Sequence, residues 1–252
     1  FRKFADMSTK AVIYNGDDKN TLDSIKGISE GKKMISFGKD DGCNFVAKNV
    51  GYNNGAFPCY DLYIDGVNNG RIELSVPGEH NVLNSLAAIA AAIYCGATVE
   101  QCRKSILTFK GAGRRFEFLG TYNGADIVDD YAHHPAELEV TLSAAKKMDY
   151  KRVWAVFQPF TFSRTKMHLN AFAEALSIAD NVVLTEIMGS REINTYGITT
   201  QDLADEIDGC VWFDTFQKVA EFIKENVSEG DLVLTLGCGD VYKIAKIILN
   251  KD

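Results

Sequence analysis

The chain has 252 residues, 46% of them hydrophobic and 24% charged, with four prolines and a formal net charge of −7. Such a profile excludes a disordered or fibrous chain and allows one large domain or two small ones. The acidic balance argues against a nucleic-acid surface, and without ~20 consecutive apolar residues or the apolar core of a signal peptide a cytoplasmic chain with no membrane partner is expected.

Phe1-Arg2-Lys3-Phe4-Ala5 reads as the middle of an amphipathic helix without a cap signal, so a fragment of a longer chain is expected. From Ala11 to Pro77 short strand-like runs dominate: 11–14, 34–37, 44–48, 60–64 and 71–76. They are rich in Val, Ile, Phe and Tyr and are separated by Gly/Asn/Asp turns such as Asp40-Asp41-Gly42 and Asn53-Asn54-Gly55. The run 81–95 is apolar nearly all round and should form a buried helix, followed by an amphipathic one over 99–108.

From about Lys110 strand and helix alternate. Strands are expected at 127–130, 153–157, 181–186, 211–213 and 232–236, and helices at 135–148, 165–179, 200–207, 216–227 and 241–249. This repetition predicts a mostly parallel sheet with helices on both faces, functional loops lying at the carboxyl ends of its strands. Lys110-Gly111-Ala112-Gly113 is the natural linker. The six cysteines form no CxxC pair and read mostly as reduced, buried thiols.

The segment richest in chemistry is Asp129-Asp130-Tyr131-Ala132-His133-His134-Pro135, where a strand ends and Pro135 suits the first helical position. Asp130 there could accept from ribose hydroxyls, and imidazoles could donate to phosphate or carboxylate. A capped turn with solvated histidines is the plain alternative. A metal site is a rival reading, weakened because adjacent histidines normally diverge.

In Gln158-Pro159-Phe160-Thr161-Phe162-Ser163-Arg164-Thr165, Thr161 or Ser163 could cap a helix. Arg164 near its start makes sense opposite an anionic ligand, or it is an exposed arginine. Arg114 and Arg115 in GAGRRFE could clamp phosphates or pair with acids. Asn81 and Asn84, three apart, place two amides on one side of a helical turn, where they could read a planar heterocycle. Residues 27–33 come nearest to a P-loop but lack its spacing and hydroxyl, so a turn is expected. Gly237-Cys238-Gly239-Asp240 follows a strand without the third glycine of a dinucleotide fingerprint, and could line a ligand cleft.

In order and spacing, GEHNVLN, FKGAGRRFE, DDYAHHPAE, FQPFTFSRT, Ser190-Arg191-Glu192 and GCGD resemble the Mur ligase family, in particular its branch that joins L-alanine to UDP-N-acetylmuramate. Residues 13–18 resemble the late part of that family's central ATPase domain. The resemblance implies an α/β chain. Residues 1–109 would be the end of the central domain, a partial sheet with helices, and 110–252 the C-terminal Rossmann-like three-layer α/β/α domain.

The activity implied uses ATP and Mg²⁺ to make an acyl phosphate that the amino acid's amine attacks, within peptidoglycan precursor synthesis. By the same resemblance Asn81 and Asn84 would contact adenine, Arg115 the phosphates and Asp130 the ribose. Tyr131, His133 and Arg164 would form the amino-acid site, with His133 and Arg164 holding its carboxylate beside the reaction centre. Many members carry His where Phe160 stands. The family's P-loop and central-domain magnesium ligands would precede residue 1, so this polypeptide alone should lack ligase activity. A ligase that recycles a tripeptide onto UDP-N-acetylmuramate shares the DDxAHHP pattern, and a non-catalytic nucleotide-binding module is an alternative from another class. A hydrolase built on His133 and His134 ranks last, for want of a nucleophile motif.

Overall fold

A computed structural model describes residues 1–28 and 31–251, in two compact units, Phe1–Lys110 and Gly111–Asp252. Ser29 and Glu30, within the segment read as a turn at 27–33, lie outside the described residues.

In the first unit α1 (Arg2–Met7) leads into β1 (Ala11–Asn15), α2 (Lys19–Ile25), β2 (Lys33–Gly38), β3 (Phe45–Asn53), β4 (Phe57–Ile64) and β5 (Val67–Glu73). The five strands pair in chain order, β1, β2 and β3 parallel, then β3, β4 and β5 antiparallel. Asp65 and Gly66, at φ 48° and 80°, make the two-residue turn between β4 and β5. Positive φ at both central residues is what a hairpin twisted like its strands requires, and Asp-Gly supplies it. β5 therefore begins at Val67 rather than at 71.

Two helices follow, α3 (His80–Tyr94) and α4 (Val99–Thr108). α3 is not buried all round. Val82, Ser85, Leu86, Ile89 and Ala90 form its buried stripe, while Asn84, Ala88 and Ala91 are exposed. Alanine carries too little apolar surface to demand cover, so the alanine-rich stretch can face water. The stripe packs on Tyr60, Leu62 and Ile72 of the sheet, and the fully buried Tyr60 hydroxyl meets Ser85 Oγ at 2.7 Å. Thr98 and Gln101 close a reciprocal cap on α4.

The second unit runs β6 (Glu117–Tyr122), β7 (Ala125–Asp130), α5 (Pro135–Lys146), β8 (Arg152–Phe157), α6 (Phe162–Met167), α7 (Leu169–Leu176), β9 (Asn181–Thr185), α8 (Thr200–Ala204), β10 (Val211–Phe213), α9 (Phe216–Asn226), β11 (Asp231–Leu236) and α10 (Tyr242–Ile248). Its sheet has the order β10-β9-β8-β11-β7-β6, parallel except for the edge strand β6. Side chains alternate between two cores, as period-2 strands demand. Val153, Ala155 and Phe157 join Leu232, Leu234 and Leu236 under α5, α7 and α8. Trp154, Val156 and Val233 pack beneath α9 and α10 on the other face. The helix expected over 165–179 is two helices, broken at His168 (φ −118°, ψ 26°), and the first begins earlier because Thr161 caps it.

Asp231, fully buried at the start of β11, takes hydrogen bonds from Arg152 Nη2 (2.6 Å), Trp154 Nε1 (3.2 Å) and Ser228 N (3.0 Å). Burial alone would raise its pKa, but these donors, Arg152 foremost, hold it below the ordinary 3.8. A carboxylate depressed on folding stabilises the native state above its unfolded pKa, and that contribution disappears as pH falls through the folded value. Asp231→Asn should cost about 2 kcal/mol at pH 7, part of the range for breaking a buried pair because Arg152 is half exposed. Urea unfolding of both forms should show the gap narrowing at pH 3.

Candidate functional site

β7 and β8 feed helices on one face of the second sheet, whereas β11, lying between them, feeds α10 on the other. Loops that leave neighbouring strands in opposite directions open a crevice at the carboxyl ends, the usual ligand position in such sheets. The loops there are 131–134, 158–161 and 237–241. Backbone bonds hold them in register: Gly237 N donates to Asp130 O (3.1 Å) and Gln158 N to Leu236 O (3.1 Å).

Arg114 is the anchor of this region. Its Nε donates to Asp129 Oδ2 (2.7 Å), Nη1 to Gly239 O (3.0 Å) and Nη2 to Gly237 O (2.6 Å). Its guanidinium lies over the rings of Tyr131 (5.1 Å) and Tyr242 (4.8 Å), within range for cation–π attraction. Asp129, 1% exposed, also accepts from Thr235 Oγ1 at 2.6 Å. Of the two arginines in GAGRRFE, Arg114 is thus a structural tie. Arg115 is exposed, its guanidinium 5.4 Å from the Tyr131 ring, and is the one free to meet a ligand.

Asp130 is 5% exposed, and both of its oxygens accept backbone N–H groups, Oδ1 from Ala132 (2.7 Å) and Oδ2 from Phe116 (2.8 Å). Burial raises its pKa despite those bonds. It therefore shapes the loop, and a ribose hydroxyl would have to use its remaining lone pairs.

The two histidines diverge. His133 turns inward, its Nδ1 3.1 Å from Tyr131 O and 3.2 Å from Glu137 Oε2, its ring edge-on to Tyr131. His134 caps α5, with Nδ1 accepting from Ala136 N (3.4 Å), and its ring meets His168 at 5.2 Å. His134 and His168 line a separate groove of about 340 Å³ with Glu139 and Glu174. Glu137 accepts from both His133 N (3.0 Å) and His134 N (3.2 Å). Burial works against its charge, yet those donors and the His133 ring leave its pKa lowered. Glu137 was readable as the third residue after a cap, though with histidine in the cap position.

Thr161 caps α6 by accepting from Arg164 N (3.4 Å). Ser163 instead donates its N–H (2.9 Å) and hydroxyl to Glu192, which ties the 187–197 loop to Arg164's helix. Arg164 Nη1 is buried without a hydrogen-bond partner. Burial raises the pKa of the Cys238 thiol, against the fields of Arg164 and Arg114, and Glu137 pushes it further up.

In the first unit Asn81 Nδ2 donates to Pro77 O (2.7 Å) and Asn84 Nδ2 to Asn81 Oδ1 (3.0 Å). The amides share one side of the turn. Both lie in the first turns of α3, which begins at His80. Among the described residues no group of three or more His, Cys, Asp or Glu could hold a metal ion.

Removing Arg114 would leave the Asp129 carboxylate buried with Thr235 alone. Arg114→Ala should lose about 3 kcal/mol at pH 7. Asp129's pKa, already raised by burial, would climb further without Arg114. A carboxylate raised on folding penalises the native state above its folded pKa, and the penalty fades as pH falls through that value. Thermal unfolding should show a smaller loss at pH 5 than at pH 7.

Comparison with known proteins matches residues 2–92 to a family model described as the Mur ligase middle domain, and residues 114–239 to one described as the Mur ligase glutamate ligase domain. A UDP-N-acetylmuramate–L-alanine ligase of Caldanaerobacter subterraneus subsp. tengcongensis is 39% identical over 258 residues, covering 100% of this chain and 56% of that protein. Another of the same description, from Lachnospira eligens, is 44% identical over 222 residues, 86% of this chain and 48% of its own. The chain thus spans about half the length of these relatives. The solved UDP-N-acetylmuramate-alanine ligase MurC of Thermotoga maritima superposes with a TM-score of 0.75 at 23% identity, over 99% of this chain and 61% of that one, which speaks for the fold.

Proposed function

Since this chain belongs to the Mur ligase family, we propose that it is part of an ATP-dependent ligase joining L-alanine to UDP-N-acetylmuramate in peptidoglycan precursor synthesis. The observation that carries the reading is the unpartnered Arg164 Nη1, buried in α6 just past the carboxyl end of β8: a donor suited to a small carboxylate, in a chain whose relatives are described as L-alanine ligases.

In such a reaction ATP phosphorylates the muramate carboxylate, ADP departs, and the amine attacks the acyl carbon with loss of phosphate. Mg²⁺ would supply charge neutralisation at the phosphates. The described residues offer it no cage of their own, so no role below runs through the metal. Arg164 would hold the amino acid's carboxylate. His133, kept in orientation by Glu137 and Tyr131 O, would donate to the same group, and Tyr131 would bound the side-chain pocket. Arg115 would meet phosphate oxygens and Asp130 the ribose, while the paired amides of Asn81 and Asn84 would read adenine. These roles are positional and electrostatic, the main source of acceleration in phosphoryl chemistry. A cytoplasmic location goes with ATP as the driving substrate, and no described helix is long and apolar enough to cross a membrane.

The chain alone should release no phosphate from ATP. Joined to the upstream half of the Caldanaerobacter relative, it should show phosphate release that depends on L-alanine and UDP-N-acetylmuramate together. In that enzyme Arg164→Ala should raise KM for L-alanine about thirtyfold or more, the scale of a charge-assisted bond, and leave KM for ATP unchanged. Turnover with a tripeptide and not with L-alanine would replace this reading with a recycling ligase. Nucleotide binding without turnover would replace it with a binding module.

A further inference from the structure

Among the described residues, two buried side-chain polar atoms lack a hydrogen-bond partner, Gln158 Oε1 and Arg164 Nη1. Leaving such an atom unpaired costs free energy, so an orphan in a folded protein calls for a ligand or a bound water. Gln158 is 5% exposed and stands where β8 ends. Its Nε2 donates to Glu186 O (3.4 Å), which fixes the amide's orientation and leaves the oxygen as the unpaired end.

Both orphans belong to the connection from β8 to α6: Gln158 directly follows β8, and Arg164 lies in the first turn of α6, past the Thr161 cap. A Cβ on Gly239 would lie 2.8 Å from Gln158 Oε1, and one on Gly237 3.1 Å from Gln158 O, so glycine is what lets the loop close on Gln158. On the same loop the Cys238 thiol feels the Arg164 charge. A neutral acceptor and a cationic donor on one strand-to-helix connection suit a small molecule carrying both an N–H donor and an anion. An α-amino acid has the two on adjacent atoms.

We propose that Gln158 is the amine-binding residue of this site: its Oε1 accepts a hydrogen bond from the α-amine of the amino acid whose carboxylate Arg164 holds. The assignment rests on the ligase reading above and deepens it. A neutral amide is the right acceptor for a nucleophile. A carboxylate in its place would favour the ammonium form and raise the amine's pKa, whereas an amide orients the nitrogen and still lets it shed its proton before attack.

The test titrates the full chain with L-alanine and with propionate, which keeps the carboxylate but has no amine, followed by NMR. L-alanine should bind about tenfold more tightly than propionate, the scale of one hydrogen bond to a charged group. The Gln158 side-chain amide signals should move with L-alanine only. Gln158→Met, which keeps volume and loses the acceptor, should bring L-alanine down to the propionate level and leave propionate unchanged, while Arg164→Ala weakens both. The wild-type comparison of the two ligands stands even should the Met variant misfold. Equal binding of the two ligands, binding of neither, or a Met variant that weakens both alike would overturn the proposal, the last pointing to a structural water at Oε1. Turnover by the joined enzyme persisting alongside such a result would confine the failure to Gln158. Absence of L-alanine-dependent turnover would instead strike the ligase reading.

Discussion

The second unit depends on a guanidinium placed where three loops meet. Arg114 joins the buried Asp129 to the carbonyls of Gly237 and Gly239 and lies over two tyrosine rings, so the end of β7, the loop after β11 and the start of α10 are set by one side chain. A planar fork is needed, because a lysine could satisfy one of these directions but not three. Arg114 is at φ 58°, a conformation that costs energy and survives only where the surroundings fix it. Its own backbone is tied as well, Tyr131 N donating to Arg114 O at 2.7 Å and Arg114 N to Glu117 Oε2 at 2.7 Å. The arrangement leaves Arg115, the next residue, on the surface.

Much of the fold is legible in the sequence because its strands are apolar and its helices carry starting signals. β10 and α4 have the bounds that hydrophobic pattern and capping residues indicate, and β7, β8, β9 and β11 differ by a residue or two. The misses have physical causes. β6, on the edge, reads EFLGTY, with its glycine at a register shift, so neither alternation nor a continuous apolar run marks it. α2 has no buried residue and rests on the Asp18 cap, a local signal without a hydrophobic stripe. The break at His168 is invisible to periodicity, since apolar residues continue on both sides of it.

The candidate site is legible as loops and less so as contacts. DDYAHHP, FQPFTFSRT and GCGD announce themselves by residue type and by following strands. Which members face a ligand is decided by tertiary partners. Asp130 looks available in the sequence and spends its oxygens on two backbone amides. Gln158 looks like strand-end polarity and is buried with an unused acceptor. Glu192 stands far along the chain from Ser163, and nothing local says that one will hold the other. Sequence spacing locates chemistry where neighbours in the chain make the site, and loses it where neighbours in space do.

The sheet order carries a consequence for synthesis. β8 and β7 are not hydrogen-bonded to each other, and β11 alone bridges the β10-β9-β8 block to the β7-β6 hairpin. Of the six strands of this sheet the keystone is translated last, so until residue 236 has left the ribosome both inner edges stand bare, one of them rich in valine and phenylalanine. Such unpaired parallel edges are slow to close and prone to bind other chains. A growing copy of this unit is thus most vulnerable just before completion, and premature termination ahead of β11 would yield two half-sheets with no partner.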